Sequence, residues 1–147
     1  MHKGSRSKEE YLECIYKIQE DGRRATTNEV AKCLAVKQAS VTEMLDRLSD
    51  DKLVVYEDYH GAVLTKKGVE IGRAITRKHR IIEAFLYGVL KVDKSKVHVE
   101  ACLLEHALSD DVESKLIKFL GKPDECPDDH KPIPYVGSKS AIVVRGA

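Results

Sequence analysis

A chain of 147 residues is sized for one domain, or for two small ones sharing a core. Its 42% hydrophobic and 33% charged residues are ordinary for a soluble globular protein. No apolar run approaches the roughly 20 residues of a membrane span, and no apolar segment follows the basic start that a signal peptide would need. The 25 basic and 24 acidic residues nearly cancel, so a nucleic acid would have to be met by a local basic face, and no Trp and only two Phe argue against a stacking platform for single strands.

Residues 1–6 read as a loose arm. Ser7-Lys-Glu-Glu10 has the form of a capping box, which predicts a helix from there to about Gln19, ended at Gly22. Tyr11, Leu12, Ile15 and Ile18 supply its buried face, while Glu10, Glu13 and Lys17 share the other. Thr26-Thr-Asn-Glu29 is a second capping box and opens a short helix with Val30, Ala31 and Leu34 inward. Ala35-Val-Lys37 makes a tight turn, and a third helix follows from Gln38 to about Asp51, burying Val41, Leu45 and Leu48. Two short helices joined in this way form the helix-turn-helix pattern, although the turn holds no Gly.

Leu53-Val-Val-Tyr56 and Ala62-Val-Leu64 are strand-like, joined by a hairpin loop with Gly61 supplying positive φ. A hairpin after a helix-turn-helix is a wing. One long helix is then predicted from Thr65 to Leu90, with Ile71, Ile75, Ile82, Leu86 and Val89 on its apolar stripe and Gly68 and Gly72 weakening its first turns. Val92-Asp-Lys-Ser95 breaks it. A ligand-rich helix follows, and Ser109-Asp-Asp111 caps another that runs to Leu120 and closes at Gly121. All four prolines lie beyond Lys122, in a loop or tail where Ile142-Val-Val144 has the form of a short strand. The expected fold is mainly α with a small β-wing. It divides into a winged helix-turn-helix over 1–72, a helical metal-binding and dimerisation domain over 73–122, and a Pro-containing tail over 123–147.

Chemistry concentrates in His98-Val-Glu-Ala-Cys-Leu-Leu-Glu-His106. At roughly 100° per residue, His98, Cys102 and His106 follow one another down a helix with Glu105 beside them, and Val97, Ala101, Leu104 and Leu108 fall opposite. Imidazole, thiol and carboxylate are all ligands for first-row transition metals, though the same residues also occur on solvated faces. His79, with Glu83 four residues on, sits at the edge of the long helix's stripe. Cys14 and Cys33 read as packing, and Cys126 with His130 has a spacing that a metal could use. The scattered cysteines fit thiols in a reducing cytoplasm better than a disulfide framework.

On the recognition helix, Gln38, Ala39, Ser40, Thr42, Glu43 and Arg47 face outward. Lys37 and Arg47 can meet phosphates, Ala39 or the Thr42 methyl can touch a thymine methyl, and Glu43 can accept from cytosine N4. Glu43 can equally form a capping box with Ser40 and read nothing. Tyr59, His60 and Gly61, at the wing tip, are candidate backbone contacts.

Taken together, Glu10-Tyr-Leu-Glu-Cys-Ile-Tyr16, Val36 to Leu48, Leu64-Thr-Lys-Lys-Gly68, Arg77-Lys-His-Arg80 and Val97 to Asp110 resemble the diphtheria toxin repressor family of metal-dependent regulators, including its manganese-responsive branch. The resemblance runs from about Ser7 to Pro134. It implies a cytoplasmic, homodimeric transcription repressor, not an enzyme, that binds a palindromic double-stranded operator of metal-homeostasis genes when a divalent metal is bound. It implies metal ligands at His79, Glu83, His98, Cys102, Glu105 and His106, and at Glu10 and Glu13 on the first helix. Without the resemblance, Glu10 is a capping-box partner of Ser7 and Glu13 an ion-pair partner of Lys17. Position 10 carries a carboxylate where iron-type members carry a thioether, and position 102 carries a thiol where the manganese branch carries a carboxylate. Fe(II) or Mn(II) is the expected ion, with Co(II), Ni(II) or Zn(II) able to substitute. The segment from Cys126 to Pro134 resembles the start of the linker to a third, SH3-like domain in long members, and a two-domain form is expected. The rival expectation is a winged-helix regulator controlled by another effector, its cluster holding a structural zinc. A metalloenzyme lacks support, since there is no His-Glu-x-x-His.

Overall fold

The structure is a computed structural model that describes residues 3–137, with side chains from Ser7 onward. The elements are α1 (Lys3–Glu20), α2 (Thr27–Leu34), α3 (Gln38–Asp50), β1 (Val54–Glu57), β2 (Gly61–Leu64), α4 (Lys66–Gly88), α5 (Lys94–Leu104) and α6 (Asp110–Phe119). The described residues form two compact units, 3–73 and 74–137, and α4 contributes to both. Among them no helix is long and apolar enough to cross a membrane. The strand expected at Ile142-Val-Val144 lies outside the described residues.

In the first unit α1 begins at Lys3, four residues before the expected start. Ser7 is therefore inside the helix and does not cap it, because an interior position has no orphan N–H to satisfy. No proline stands in 3–6 to stop the helix from extending. Leu12 and Ile15 are fully buried beside Tyr11, Cys14 and Tyr16. Gly22 ends α1 at φ 77°, its N–H bonded to the Gln19 carbonyl at 2.9 Å. The Gln19 side chain turns inward and accepts the Leu64 N–H at 2.7 Å, fastening α1 to β2.

The Thr26–Glu29 capping box forms as expected. Thr26 Oγ1 accepts the Glu29 N–H at 3.1 Å, and Glu29 accepts the Thr26 N–H at 3.2 Å. The turn into α3 manages without glycine because Ala35 itself takes the left-handed conformation, φ 54° and ψ 46°. This costs about 1–2 kcal/mol locally. The Val36 N–H closes the motif on the Ala31 carbonyl at 3.1 Å. Val41, Leu45 and Leu48 are completely buried, so α3 packs as its periodicity predicts.

β1 and β2 pair antiparallel from Val54↔Leu64 to Glu57↔Gly61, one residue later in β1 and one earlier in β2 than expected. Ala25 adds a bridge to Ala62 on the other edge of β2. Gly61, at φ 80°, is buried there. A Cβ on it would sit 2.5 Å from the Ala25 carbonyl oxygen. It therefore serves the close approach of the two backbones at this position. Gly68 and Gly72 have the same purpose. A Cβ on Gly68 would fall 2.0 Å from the Leu53 oxygen, and one on Gly72 3.0 Å from the Leu12 oxygen. They allow α4 to lie close against its neighbours instead of simply weakening it. Thr65 caps α4, accepting the Gly68 N–H at 3.1 Å.

In the second unit, Ile82, Leu86 and Ala101 form a small core with Val92 and Leu108 against it. Val89 falls beyond the end of α4 and is 41% exposed, so it leaves the predicted stripe. α5 starts at the Asp93 cap and ends at Leu104, short of His106. Leu104 is 47% exposed, not inward, and Val99, Leu103, Val112 and Phe119 are also exposed on α5 and α6. Residues 123–137 hold no helix, yet Cys126 and Ile133 are buried. Glu125 bridges Pro132, and Arg80 donates to the Pro132 carbonyl at 2.8 Å.

Candidate metal centre

α4, α5 and the turn after α5 bring six candidate donors of the second unit together. His79 is at the middle, with a side chain only 1% exposed. Its Nε2 lies 3.0 Å from Glu83 Oε1, one turn along α4, and 3.2 Å from His98 Nδ1. Its Nδ1 lies 2.8 Å from Glu105 Oε2 and 3.9 Å from Cys102 Sγ. Cys102 Sγ is 3.7 Å from His98 Nε2, one turn away on α5, as the spacing predicts. His106 Nε2 is 3.3 Å from Glu105 Oε1. Glu105 and His106 reach this place from a turn, not from a continuing helix: Glu105 caps α5, and residues 105–107 leave it.

Donors of His79, His98 and Cys102 all lie within 4.8 Å of one another. Two ligands, each about 2.0–2.3 Å from one ion, stand about 3–4 Å apart at tetrahedral or octahedral angles. The separations above fall in that range, and the mixture of imidazole, carboxylate and thiol suits a first-row divalent ion. The residues present therefore fit the metal. His79 presents one nitrogen toward Glu83 and His98 and the other toward Glu105 and Cys102, so the two groups of donors meet at this ring.

The electrostatics prepare the cluster for a cation. Burial pushes the Glu83 carboxyl up, but hydrogen bonds from His79 and His98 outweigh it and hold the group at about 2. Burial likewise raises the Cys102 thiol, and the same two imidazoles bring it down to about 6. The hydrogen bonds to Cys102 and then to Glu83 raise His98 to about 9. At neutral pH Cys102 is thus largely thiolate and His98 imidazolium. A cation that takes both finds the sulfur already ionised and displaces one proton from His98.

A measurable consequence follows for the metal-free protein. Because thiolate is the reactive form, iodoacetamide alkylation of Cys102 should rise with pH through a midpoint near 6. Cys126, whose thiol is raised by burial, should stay unreacted over the same range. Quenched time points resolved peptide by peptide would show it. A Cys102 midpoint at the ordinary thiol value of about 8.5 contradicts the ion-pair geometry.

In the first unit, Glu10 and Glu13 stand on neighbouring positions of α1. Glu13 is 7% exposed, with Lys17 Nζ at 3.0 Å from Oε1. Glu10 is half-buried and lines a groove with Ser7, Tyr11, Ser40, Glu43 and Arg47. Lys37, which precedes α3, and Gln38, Ala39, Ser40, Glu43 and Arg47 on it are exposed, and Thr42 is half-buried. Ser40 lies inside the helix, so the alternative capping box with Glu43 does not form. Glu43 accepts from Arg47 at 2.8 Å instead. Gln38 Nε2 donates to Asn28 at 3.2 Å, bracing α3 on α2. At the wing tip Tyr59 is fully exposed at φ 66°, and Arg24 donates to the His60 carbonyl at 2.8 Å. Cys126 is buried while His130 is exposed and bonded to Glu125 at 2.9 Å, so these two do not join the candidate metal groups among the described residues.

Residues 3–62 match the N-terminal DNA-binding domain of the iron-dependent repressors, and residues 65–135 match their metal-binding and dimerisation domain. An uncharacterized HTH-type transcriptional regulator of Methanocaldococcus jannaschii is 44% identical over 119 residues, 80% of this chain and 95% of that protein. The chain belongs to the iron-dependent repressor family. Within it, the HTH-type transcriptional regulator MntR of Bacillus pumilus is 36% identical over 122 residues, 81% of this chain and 84% of that one. Among solved structures, a manganese-dependent transcriptional repressor in complex with manganese superposes with TM-score 0.81 at 31% identity, covering 90% of this chain and 60% of its own. The IdeR structure from T. acidophilum gives TM-score 0.76 at 26% identity, covering 95% and 63%. The chain thus spans 60% and 63% of these two solved chains, and 61% and 60% of the SloR and MtsR structures.

The structure also gives a role to basic residues that the sequence analysis quoted only for their resemblance. Arg77, Lys78 and Arg80 flank His79, and each is engaged. Arg77 Nε holds Glu113 at 2.7 Å, Lys78 Nζ donates to the Leu108 carbonyl at 2.8 Å, and Arg80 is buried against 132. They hold α6 and the 123–137 segment to the helix that carries His79. Their closeness in sequence to a candidate ligand was the available signal.

Proposed function

We propose that the protein is a metal-dependent transcriptional repressor. A divalent transition metal acts as its corepressor, and the homodimer binds a palindromic double-stranded operator of metal-homeostasis genes. The observation that carries this is the six-donor cluster around His79, joined in one chain to a winged helix-turn-helix. We assign 1–72 to DNA binding, 73–122 to metal binding and dimerisation, and 123–147 to a tail. The protein is then a regulator without a catalytic role, at work in the cytoplasm.

His79, Glu83, His98, Cys102, Glu105 and His106 would hold the metal, with Glu10 and Glu13 donating from α1. When bound, the ion supplies positive charge that draws these anionic groups together. Glu10 and Glu13 thereby tie α1 to the dimerisation half. α1 packs on α2, and α2 on α3, so this tie sets where the recognition helix stands. In a dimer two such helices must enter the major groove about one helical turn of DNA apart. Lys37, Gln38, Ala39, Ser40, Thr42, Glu43 and Arg47 face the DNA, with Tyr59 and His60 at its backbone. Cys102 shifts the preference of an otherwise nitrogen and oxygen donor set toward iron, cobalt or zinc, while relatives are named for manganese. Fe(II) or Mn(II) is the proposed ion, and Co(II), Ni(II) or Zn(II) substitutes.

The test is binding to DNA from the protein's own upstream region, at fixed salt, first in chelator and then with each metal. Metal should tighten specific binding about 100-fold, and by linkage the DNA should tighten metal binding equally. Equal binding by folded, metal-free protein would overturn the reading.

A further inference from the structure

The connection between α1 and α2 carries two neighbouring arginines in different surroundings. Arg23 and Arg24 are both exposed. Arg23 lies between two carboxylates, hydrogen-bonded to Glu29 and 3.5 Å from Asp21, so its charge is already balanced. Arg24 is held differently. Its Nε donates to the His60 carbonyl at 2.8 Å, and among the described residues no carboxylate pairs with it. A carbonyl accepts that bond without cancelling the charge, and Nη1 and Nη2 keep their donors. The backbone fixes where this guanidinium stands. The Ala25 N–H bonds to the Ala62 carbonyl at 3.0 Å, and the Ala62 N–H to the Ala25 carbonyl at 2.8 Å. Residue 24 therefore runs beside the wing where Gly61 lets the two backbones meet. The His60 N–H closes the tip on the Glu57 carbonyl at 3.1 Å, while Arg24 grips the carbonyl of the same residue from outside the hairpin.

We propose that Arg24 is a contact to the phosphate backbone of duplex DNA. The His60 carbonyl orients its guanidinium beside the wing tip, and Nη1 and Nη2 donate to phosphate oxygens. This rests on the proposed function and deepens it: the wing gains a charged contact supplied by the α1–α2 connection. The whole chain gives DNA little electrostatic attraction, since its 25 basic and 24 acidic residues nearly cancel, so a local unbalanced cation has to supply it. The chemistry favours arginine at this position. A guanidinium is a rigid, planar fork of donors, so Nε can stay on the carbonyl while the far end meets a phosphate. A lysine ammonium carries the same charge on a flexible stem with no such anchor, and has to order that stem when it binds. Arg23, one residue earlier, has the right chemistry but is taken by Asp21 and Glu29.

The experiment measures the affinity of the full chain for duplex DNA from its own upstream region, with Mn(II) present, over a series of salt concentrations. Wild type is compared with Arg24→Ala, Arg24→Lys and Arg23→Ala. Each phosphate contact contributes about 0.9 to the slope of log affinity against log salt, so a dimer that loses both copies of Arg24 should lose about 1.8. Between 200 and 50 mM salt the advantage of wild type over Arg24→Ala should then widen by about tenfold. Arg24→Lys keeps the charge without the Nε bond, so it should keep the slope and lose about threefold in affinity. Arg23→Ala should keep the wild-type slope, because its cation is already matched. Urea midpoints confirm that each variant is folded. A wild-type slope in Arg24→Ala overturns the proposal even if binding weakens, since weaker binding at unchanged slope marks a residue that only braces the wing. An Arg24→Lys variant with wild-type affinity overturns the orienting part of the His60 carbonyl. The repressor reading is judged separately, by whether wild-type binding needs metal. If it does not, that reading falls and the slopes still decide Arg24. Wild-type protein that binds no duplex at any salt overturns both.

Discussion

Alanine in place of His79 should weaken metal binding at least about 100-fold, more than replacement of any other donor in the second unit. Changing the groups that merely orient a ligand typically costs 10–100-fold, and in the proposed site His79 is both ligand and organiser. Four of the other five donors lie within 3.9 Å of one of its two ring nitrogens: Glu83 and His98 at Nε2, Glu105 and Cys102 at Nδ1. Its removal deletes one donor and takes one imidazole partner from each of two carboxylates that are 3% and 1% exposed, leaving Glu83 beside His98 and Glu105 beside His106. Glu83 loses one of the two imidazole hydrogen bonds that favour its ionised form, so it becomes a poorer ligand as well. His98 is the natural comparison. Its side chain is 64% exposed, and His98→Ala leaves Glu83 still bonded to His79. The loss there should be about tenfold, as for a peripheral donor. Competition against a chelator of known affinity, with circular dichroism to confirm the fold, measures both. Affinity of the His79 variant within a few-fold of wild type would show that the ion is held without this ring.

How far the sequence carried the reading depends on whether a signal was local. Val41, Leu45 and Leu48 follow helical spacing, and all are buried. Thr26 and Glu29 are three residues apart and cap each other as their types predict. Ser7 and Glu10 carry the same signature and fail, because a capping box marks a helix start only where the chain upstream is not already helical. The donor residues were legible from their types, but their arrangement was not. The i, i+4 rule placed Cys102 beside His98 correctly. It placed His106 on the same helical stripe only by assuming that α5 continues, and α5 stops at Leu104. Ser109 holds the reason. Its hydroxyl caps α6 by accepting the Val112 N–H at 3.2 Å, and a connection of a few residues must precede that cap. Glu105 and His106 occupy this connection. Gly68 and Gly72 were illegible for a different reason. Propensity counts their cost within α4, while their purpose is contact with Leu53 and Leu12, elsewhere in the chain.

Arg77→Met should cost about 3–5 kcal/mol of stability, the range for removing one partner of a buried ion pair. Arg77 Nε donates to Glu113 Oε1 at 2.7 Å, with side chains 15% and 6% exposed, so this pair is shielded from solvent. Methionine roughly keeps the volume of the aliphatic stem but leaves the Glu113 carboxylate buried opposite a thioether. The penalty is therefore mainly that of the stranded charge rather than the intrinsic worth of the pair. Two consequences separate this from an ordinary surface bridge. Adding Glu113→Leu to Arg77→Met should recover most of the loss, since no buried charge then remains uncompensated. The Arg77→Met penalty should also change little with salt, because a dry pair is poorly screened. Lys115 with Asp111 is the control: it sits at 2.7 Å on the same α6, but with side chains 73% and 75% exposed, and Lys115→Ala should shift the urea midpoint imperceptibly. If Arg77→Met instead costs less than about 1 kcal/mol, in the range of exposed pairs, then water reaches Glu113 in solution. α6 would in that case be held to α4 by apolar contacts such as Phe85 with Phe119, whose ring centroids are 6.3 Å apart.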